Sequence, residues 1–114
     1  MVDDDEAIWE LETHRRGGRA HMMLTGELDL DTAPSLLTAV VGELDAGAGE
    51  VVVDLTHLSF IDSSGLGTLV GCWRRAKSAG AKLVVAHPNE DVRVTLEITG
   101  LDQILPITNE PVAN

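Results

Sequence analysis

Along "AIWELET" the polar positions Glu10 and Glu12, with Ile8, alternate against Trp9 and Leu11, the period of a half-buried strand. "RAHMMLTGEL" predicts a second strand, and the Gly17–Gly18 pair in "HRRGGRA" makes the two an antiparallel hairpin. In "DLDTAPSLLTAVVGELDAG" the spacing changes. Leu36, Leu37, Val40, Val41 and Leu44 recur at helical intervals, after a start capped by Asp31 or Thr32 and with Pro34 where a missing N–H costs nothing. "EVVVDL" is a continuous, β-branched apolar run, as in a strand buried on both faces. "SSGLGTLVGCWRRAKSAG" sets Leu66, Leu69, Val70, Trp73 and Ala76 on one helical stripe that Gly80 ends. "AKLVVAH" predicts another buried strand, Pro88 opens a third helix that stops at Gly100, and "DQILPIT" predicts a short edge strand, the place where Pro106 is tolerated.

The order is β-β-α-β-α-β-α-β. It implies an α/β fold: a small, mostly parallel mixed sheet of four to five strands, entered through an antiparallel hairpin and packed with three or more helices. Residues 1–6, with the run "DDDE", form an acidic tail, and residues 7–110 form a single domain.

Composition narrows the function. A chain of 114 residues with a 44% hydrophobic fraction sustains one core. The formal charge of −11 opposes a nucleic-acid partner, which needs a cationic footprint. That charge is uneven: residues 1–49 carry 11 acids and 3 bases, residues 50–114 carry 8 acids and 5 bases. No apolar run approaches the ~20 residues of a membrane span, and "MVDDDEAIWE" lacks the features of a secretory signal, so a soluble cytoplasmic protein without membrane attachment is expected. Cys72 stands alone, which excludes an internal disulfide and suits a small buried hydrophobe in mid-helix.

The chemistry concentrates in "SFIDSSGLGTL", where a strand gives way to a helix. The glycines of "GLGTLVG" are spaced one residue too far for a dinucleotide fingerprint, and Val84–His87 offer no carboxylate for a ribose. No Gly-Lys-Ser/Thr follows, so a phosphate cradle fails too; the glycines instead let the helix pack close to the strand. A nucleophile elbow also fails, because Ile61 stands where the leading glycine of G-x-S-x-G belongs. His14, His21, His57 and His87 fall on different elements without an i, i+4 pair, as surface or edge histidines rather than metal ligands. No enzyme, cofactor or metal reading survives.

Two readings of the stretch remain. A cap by Asp62 or Ser63 satisfies first-turn amides, worth ~1 kcal/mol, but one cap does not require two serines. The second reading follows from topology: sites in parallel sheets gather beyond the C-terminal strand ends. If the strands that end in "GELDLD" and "SFIDSS" are neighbours, Asp29, Asp31, Asp62 and Ser63 converge on a rim of acids and hydroxyls with no base. Such a rim is suited to being bound and modified. A phosphoserine at a helix N-terminus is compatible with the fold, and its charge would act on binding.

"TGELDLDTAPSL", "VVVDLTHLSFIDSSGLGTLVGCWRRAKSAGAKLVVAH" and "VRVTLEITGLDQILPI" together resemble the STAS domain of bacterial anti-sigma factor antagonists, from about Ile8 to Ile107. "FIDSSGLG" is the most specific part, and no residue in it departs from the family pattern. The resemblance implies a protein that binds an anti-sigma factor serine kinase and so releases a sigma factor. The kinase would phosphorylate Ser63 with ATP and dissociate the pair, and a phosphoserine phosphatase would restore it. Asp29 matches the acid of the "GELD" loop, and Asp62, Ser63, Ser64, Gly65, Leu66 and Gly67 match the partner-contacting turn. The alternative is a STAS interaction module in a stress-signalling assembly or a lipid-transport complex. A monomer or weak homodimer is expected, and the roles of Arg15, Arg16 and Arg19 stay open.

Overall fold

A computed structural model describes residues 8–110 of the chain; the acidic segment 1–6 lies outside them. Five strands, β1 (Glu10–Arg16), β2 (Arg19–Leu28), β3 (Glu50–Ile61), β4 (Lys82–Ala86) and β5 (Ile107–Thr108), lie in sequential order in one sheet. β1 and β2 pair antiparallel, and every later pairing is parallel. The helices α1 (Ala33–Asp45), α2 (Ser63–Ser78) and α3 (Glu90–Ile98) supply the crossovers. The α/β architecture is the one expected from the alternation of elements.

One core unites the layers. Leu36 and Val40 of α1, Leu66, Leu69, Cys72 and Ala76 of α2, and Val92 and Leu96 of α3 pack with Ala20, Met22 and Leu24 of β2 and Val51, Val53 and Leu55 of β3. Cys72 takes a fully buried place in that core, which pushes its thiol pKa up to about 12. Burial disfavours the thiolate, and nearby Arg75 offsets only part of that penalty. In α2, Val70 and Trp73 flank the buried stripe and stay half-buried.

Three boundaries differ from expectation. β3 does not end at Leu55 but continues to Ile61. Its second half buries only Leu58 and Ile61, because β4 has already stopped opposite Asp54 and only β2 pairs with that part of β3. An apolar run cannot reveal a stretch with one open edge. β1 extends through the polar residues His14, Arg15 and Arg16, since pairing with β2 outweighs composition on an edge strand. "DQILPIT" begins in a 3-10 turn (Leu101–Gln103) and keeps only two residues of strand.

The hairpin arginines have structural work. Arg15 pairs with Glu43 of α1, and Arg19 pairs with Glu50 at 2.9 Å. Both ties fasten the hairpin to elements that follow it.

His21 corrects the expectation of a surface histidine. It is only 5% exposed, because β2 is an interior strand, and its Nε2 lies 2.8 Å from Oδ2 of the equally buried Asp54. Both residues alternate with core positions and so face away from the helical layer. The other carboxylate oxygen of Asp54 accepts from the Thr56 amide at 3.0 Å and the Thr56 hydroxyl at 2.5 Å. Burial pulls the Asp54 pKa up, but the Thr56 donors and His21 together outweigh it and hold the carboxyl below its usual value.

A carboxylate whose folded pKa is depressed contributes stability above the unfolded value of ~3.9 and loses it as pH falls through the folded value. Asp54→Asn is therefore expected to lower stability at pH 7 by about 2 kcal/mol. It should also lose less than wild type when urea unfolding is repeated near pH 3. Equal acid sensitivity in the two proteins would refute the assignment.

Candidate functional site

The parallel register sets Leu28 of β2 beside Ile61 of β3, so the residues that leave these strands, Asp29 and Asp62, emerge side by side. The Asp62 amide donates to the Leu28 carbonyl at 3.2 Å, stitching the two strand ends together. The sequence left it open whether the carboxylates converge; the neighbouring strands bring them to one rim.

Each carboxylate has a local task there. Oδ1 of Asp29 accepts from the Asp31 amide at 3.0 Å, the Thr32 amide at 3.1 Å and the Thr32 hydroxyl at 3.1 Å. Thr32 Oγ1 is also 2.7 Å from the Glu27 carbonyl and accepts from the Asp29 amide at 2.9 Å. Asp29 thus orders the turn into α1, while Thr32, at the N-cap position, makes no side-chain cap bond of its own. Asp62, not Ser63, caps α2: its Oδ1 accepts from the Gly65 amide at 3.0 Å.

With the cap supplied by Asp62, Ser63 is released from that duty. It is the first helical residue and is exposed, and its hydroxyl makes no hydrogen bond among the described residues. The amides of Ser63 and Ser64 lie in the first turn, where no helical carbonyl reaches them. Ser64 is half-buried and Gly67 exposed.

Gly65 and Leu66 lie beneath this surface. A Cβ on Gly65 would stand 2.4 Å from the Leu28 carbonyl oxygen and 2.8 Å from Cγ1 of Ile61. The close approach of helix and strand read from the glycines is real at Gly65. It does not hold at Gly67 or Gly71, where a Cβ would meet nothing within 4 Å. Leu66 belongs to the core.

Two apolar residues went unnoticed in the sequence. Leu30, in the turn after β2, is 72% exposed, and Phe60, next to the end of β3, is 48% exposed. Each is a large apolar residue in an otherwise polar stretch, which is the signal that marks it. Near them stand the half-buried acids Glu27, Asp29 and Asp62 and the exposed Asp31.

No side chain among the described residues hydrogen-bonds Ser63 as a general base would. Among the described residues no cluster of histidine, cysteine or carboxylate side chains could hold a metal, and no helix is long and apolar enough to cross a membrane.

Comparison with known proteins agrees with this geometry. The STAS domain profile matches residues 10–112. The anti-sigma F factor antagonist of Paenibacillus polymyxa is 33% identical over 104 residues, covering 90% of this chain and 87% of that protein. The structure of the anti-sigma factor antagonist SpoIIAA in its unphosphorylated form superposes with a TM-score of 0.72 at 25% identity, covering 90% of each chain. The phosphorylated form of SpoIIAA, the Bacillus cell fate determinant, shares the fold with a TM-score of 0.67 at 24% identity over 90% of this chain and 93% of that one. The profile match spans nearly the whole described domain, with the aspartate–serine turn at its centre: the chain is a member of the STAS domain family.

Proposed function

We propose that this protein is an anti-sigma factor antagonist whose binding to an anti-sigma factor serine kinase is switched off by phosphorylation of Ser63. The carrying observation is the division of labour between Asp62 and Ser63. The aspartate holds the helix start, so the adjacent hydroxyl is exposed and can be modified without dismantling the cap.

Free, the rim offers the partner Ser63, Ser64 and the flat surface at Gly67, with Leu30 and Phe60 as apolar contacts nearby. Its carboxylates favour a basic partner surface. Binding sequesters the kinase and frees the sigma factor. The protein itself supplies no catalysis: the kinase provides the base and the ATP. In that transfer the Ser63 oxygen forms a bond to the γ-phosphorus, the bond from that phosphorus to the bridging oxygen of ADP breaks, and the hydroxyl proton passes to a kinase base.

The phosphate then brings a charge of about −2 to a rim that is already acidic. The first-turn amides and the helix dipole favour it, so the folded domain persists. The bulk of the phosphate and the cost of desolvating its charge at the contact now oppose docking, and the complex separates until a phosphatase hydrolyses the ester. That two SpoIIAA structures, one phosphorylated and one not, share this fold supports a modification that leaves the architecture in place.

The test is direct. Incubated with its anti-sigma factor kinase and ATP, the wild-type protein should gain one phosphate by mass spectrometry, mapped to Ser63. Ser63→Ala should gain none while still binding the kinase. Phosphate on Ser64, or an undiminished gain in Ser63→Ala, would overturn the assignment.

A further inference from the structure

The outer side of β1 is an open sheet edge. Gly18 turns its carbonyl toward β3, where it accepts from the Gly49 and Glu50 amides at 2.8 and 3.1 Å. Backbone alternation then turns Arg19 toward β1. The residues in phase with that pairing, Arg16, His14, Glu12 and Glu10, turn their own backbone groups toward β2. Leu11, Thr13 and Arg15 are left with amides and carbonyls aimed away from the sheet, and no strand lies on that side. Thr13 and Arg15 are exposed and Leu11 is half-buried. The nearest helix in sequence, α1, packs on α2 and β3, inward of this edge.

Two common protections of such an edge are missing. β1 runs for seven residues without a proline, and its pairing with β2 has no bulge. Charge is present, but in a particular order: Glu10 and Glu12 first, then His14, Arg15 and Arg16. Arg15 is committed to Glu43 on the helical side. Glu10, Glu12, His14 and Arg16 alternate with it and share the opposite face of the sheet. Among the described residues neither Glu10 nor Arg16 has an opposite charge within salt-bridge distance.

We infer that β1 is a self-recognition edge. Two copies of the chain pair β1 with β1, antiparallel, about a two-fold axis at Thr13, and their five-stranded sheets join into one. In this register the outward backbone groups meet one another: Thr13 faces Thr13 and Leu11 faces Arg15, as hydrogen-bonded pairs. The pairs between them are the non-hydrogen-bonded ones, whose side chains approach more closely. They are Glu12 with His14 and Glu10 with Arg16, each occurring twice by symmetry. A slide of two residues is the smallest that keeps the backbone groups in phase. In one direction it sets Glu12 opposite Glu12, and in the other His14 opposite His14. Only the register centred on Thr13 gives both acids of the strand a basic partner.

The plainer reading is that charge on β1 guards an exposed edge against aggregation. A guard repels a second copy, whereas this order of charges attracts one. The edge is also separate from the phosphorylation rim, because β2 lies between β1 and the strand whose end carries Ser63. Antiparallel pairing points the two Ser63 rims in opposite directions. The inference therefore stands or falls without touching the reading of Ser63.

The test is sedimentation velocity on the full chain at low salt, carried up to millimolar concentration. It should show a reversible monomer–dimer equilibrium that weakens as salt is raised. Arg16→Glu and Glu10→Arg should each raise the dimer Kd about tenfold or more, since each sets like charges opposite each other twice. An equimolar mixture of these two variants should recover the dimer, because in the mixed pair every charge at positions 10 and 16 meets its opposite. That recovery cannot come from variants that fail to fold. Thr13→Pro removes an amide that faces away from β2, so it should keep the fold and abolish the dimer. A chain that stays monomeric to millimolar concentration overturns the inference and leaves the edge to some other occupant. Self-association that neither charge variant weakens, or that the mixture fails to restore, lies on another surface and overturns it as well.

Discussion

Gly65→Ala is expected to destabilise the domain by about 2 kcal/mol and to slow phosphorylation of Ser63 by about tenfold or more. Alanine in a helix interior ordinarily gains ~1 kcal/mol over glycine, so propensity alone predicts the opposite sign. Sterics decide here. The added methyl would stand 2.4 Å from the Leu28 carbonyl oxygen, a backbone atom at the end of a central strand that has no rotamer with which to yield.

Relief requires the first turn of α2 to lift off the ends of β2 and β3. That motion strains the Asp62–Gly65 cap and the bond from Asp62 to the Leu28 carbonyl. It also displaces Ser63, two residues away. Thermal unfolding should show a midpoint lower by roughly 10 °C. Gly67→Ala is the matched control. It adds the same methyl to the same helix where nothing lies within 4 Å, so it should raise the midpoint slightly. Equal effects at the two positions would show that packing at Gly65 does not position the turn.

Ser63→Asp is expected to separate folding from binding. The new carboxylate sits at the first helical position, where the dipole and the open amides favour negative charge by ~0.3–1 kcal/mol. Asp62 and Asp29 nearby oppose it by a similar amount, so stability should remain within about 0.5 kcal/mol of wild type. Affinity for the kinase should instead fall by about 30-fold or more, since the charge lies where a partner must desolvate the rim.

Calorimetry on the free variant and titration against the kinase measure the two effects separately. If the variant melts at a much lower temperature, modification acts through the fold. If it binds normally, the charge of the phosphate is not the switch. Either result removes the mechanism proposed for this rim.

The comparison of Gly65 with Gly67 shows how far local pattern extends. The spacing "GLG" was visible in the sequence, and so was the idea that glycine permits close packing. Which glycine does so depends on where the Leu28 carbonyl lies, and no local pattern holds that coordinate. Asp62 and Ser63 give a second case. Both are good capping residues, so the sequence left the cap open between them. The backbone turn leaving β3 chooses Asp62 by aiming its carboxylate at the Gly65 amide, and that choice is what frees the serine.

His21 and β3 mark the opposite limit. A histidine in an apolar strand carries no sign of its buried aspartate, because Asp54 is 33 residues away and meets it only across the β2–β3 pairing. Likewise the exposed residues between Leu55 and Ile61 conceal a strand that is held by one neighbour alone.

By itself, then, the chain determined the order of its elements, the two apolar periodicities and the cluster of acids and serines at one junction. These depend on neighbours a few residues apart, where backbone geometry repeats. Tertiary structure alone decided that Asp29 and Asp62 share a rim, that Gly65 rather than Gly67 is sterically bound, and that His21 meets a buried aspartate. Each of those facts depends on how β2 pairs with β3, and contacts between residues distant in sequence set that register.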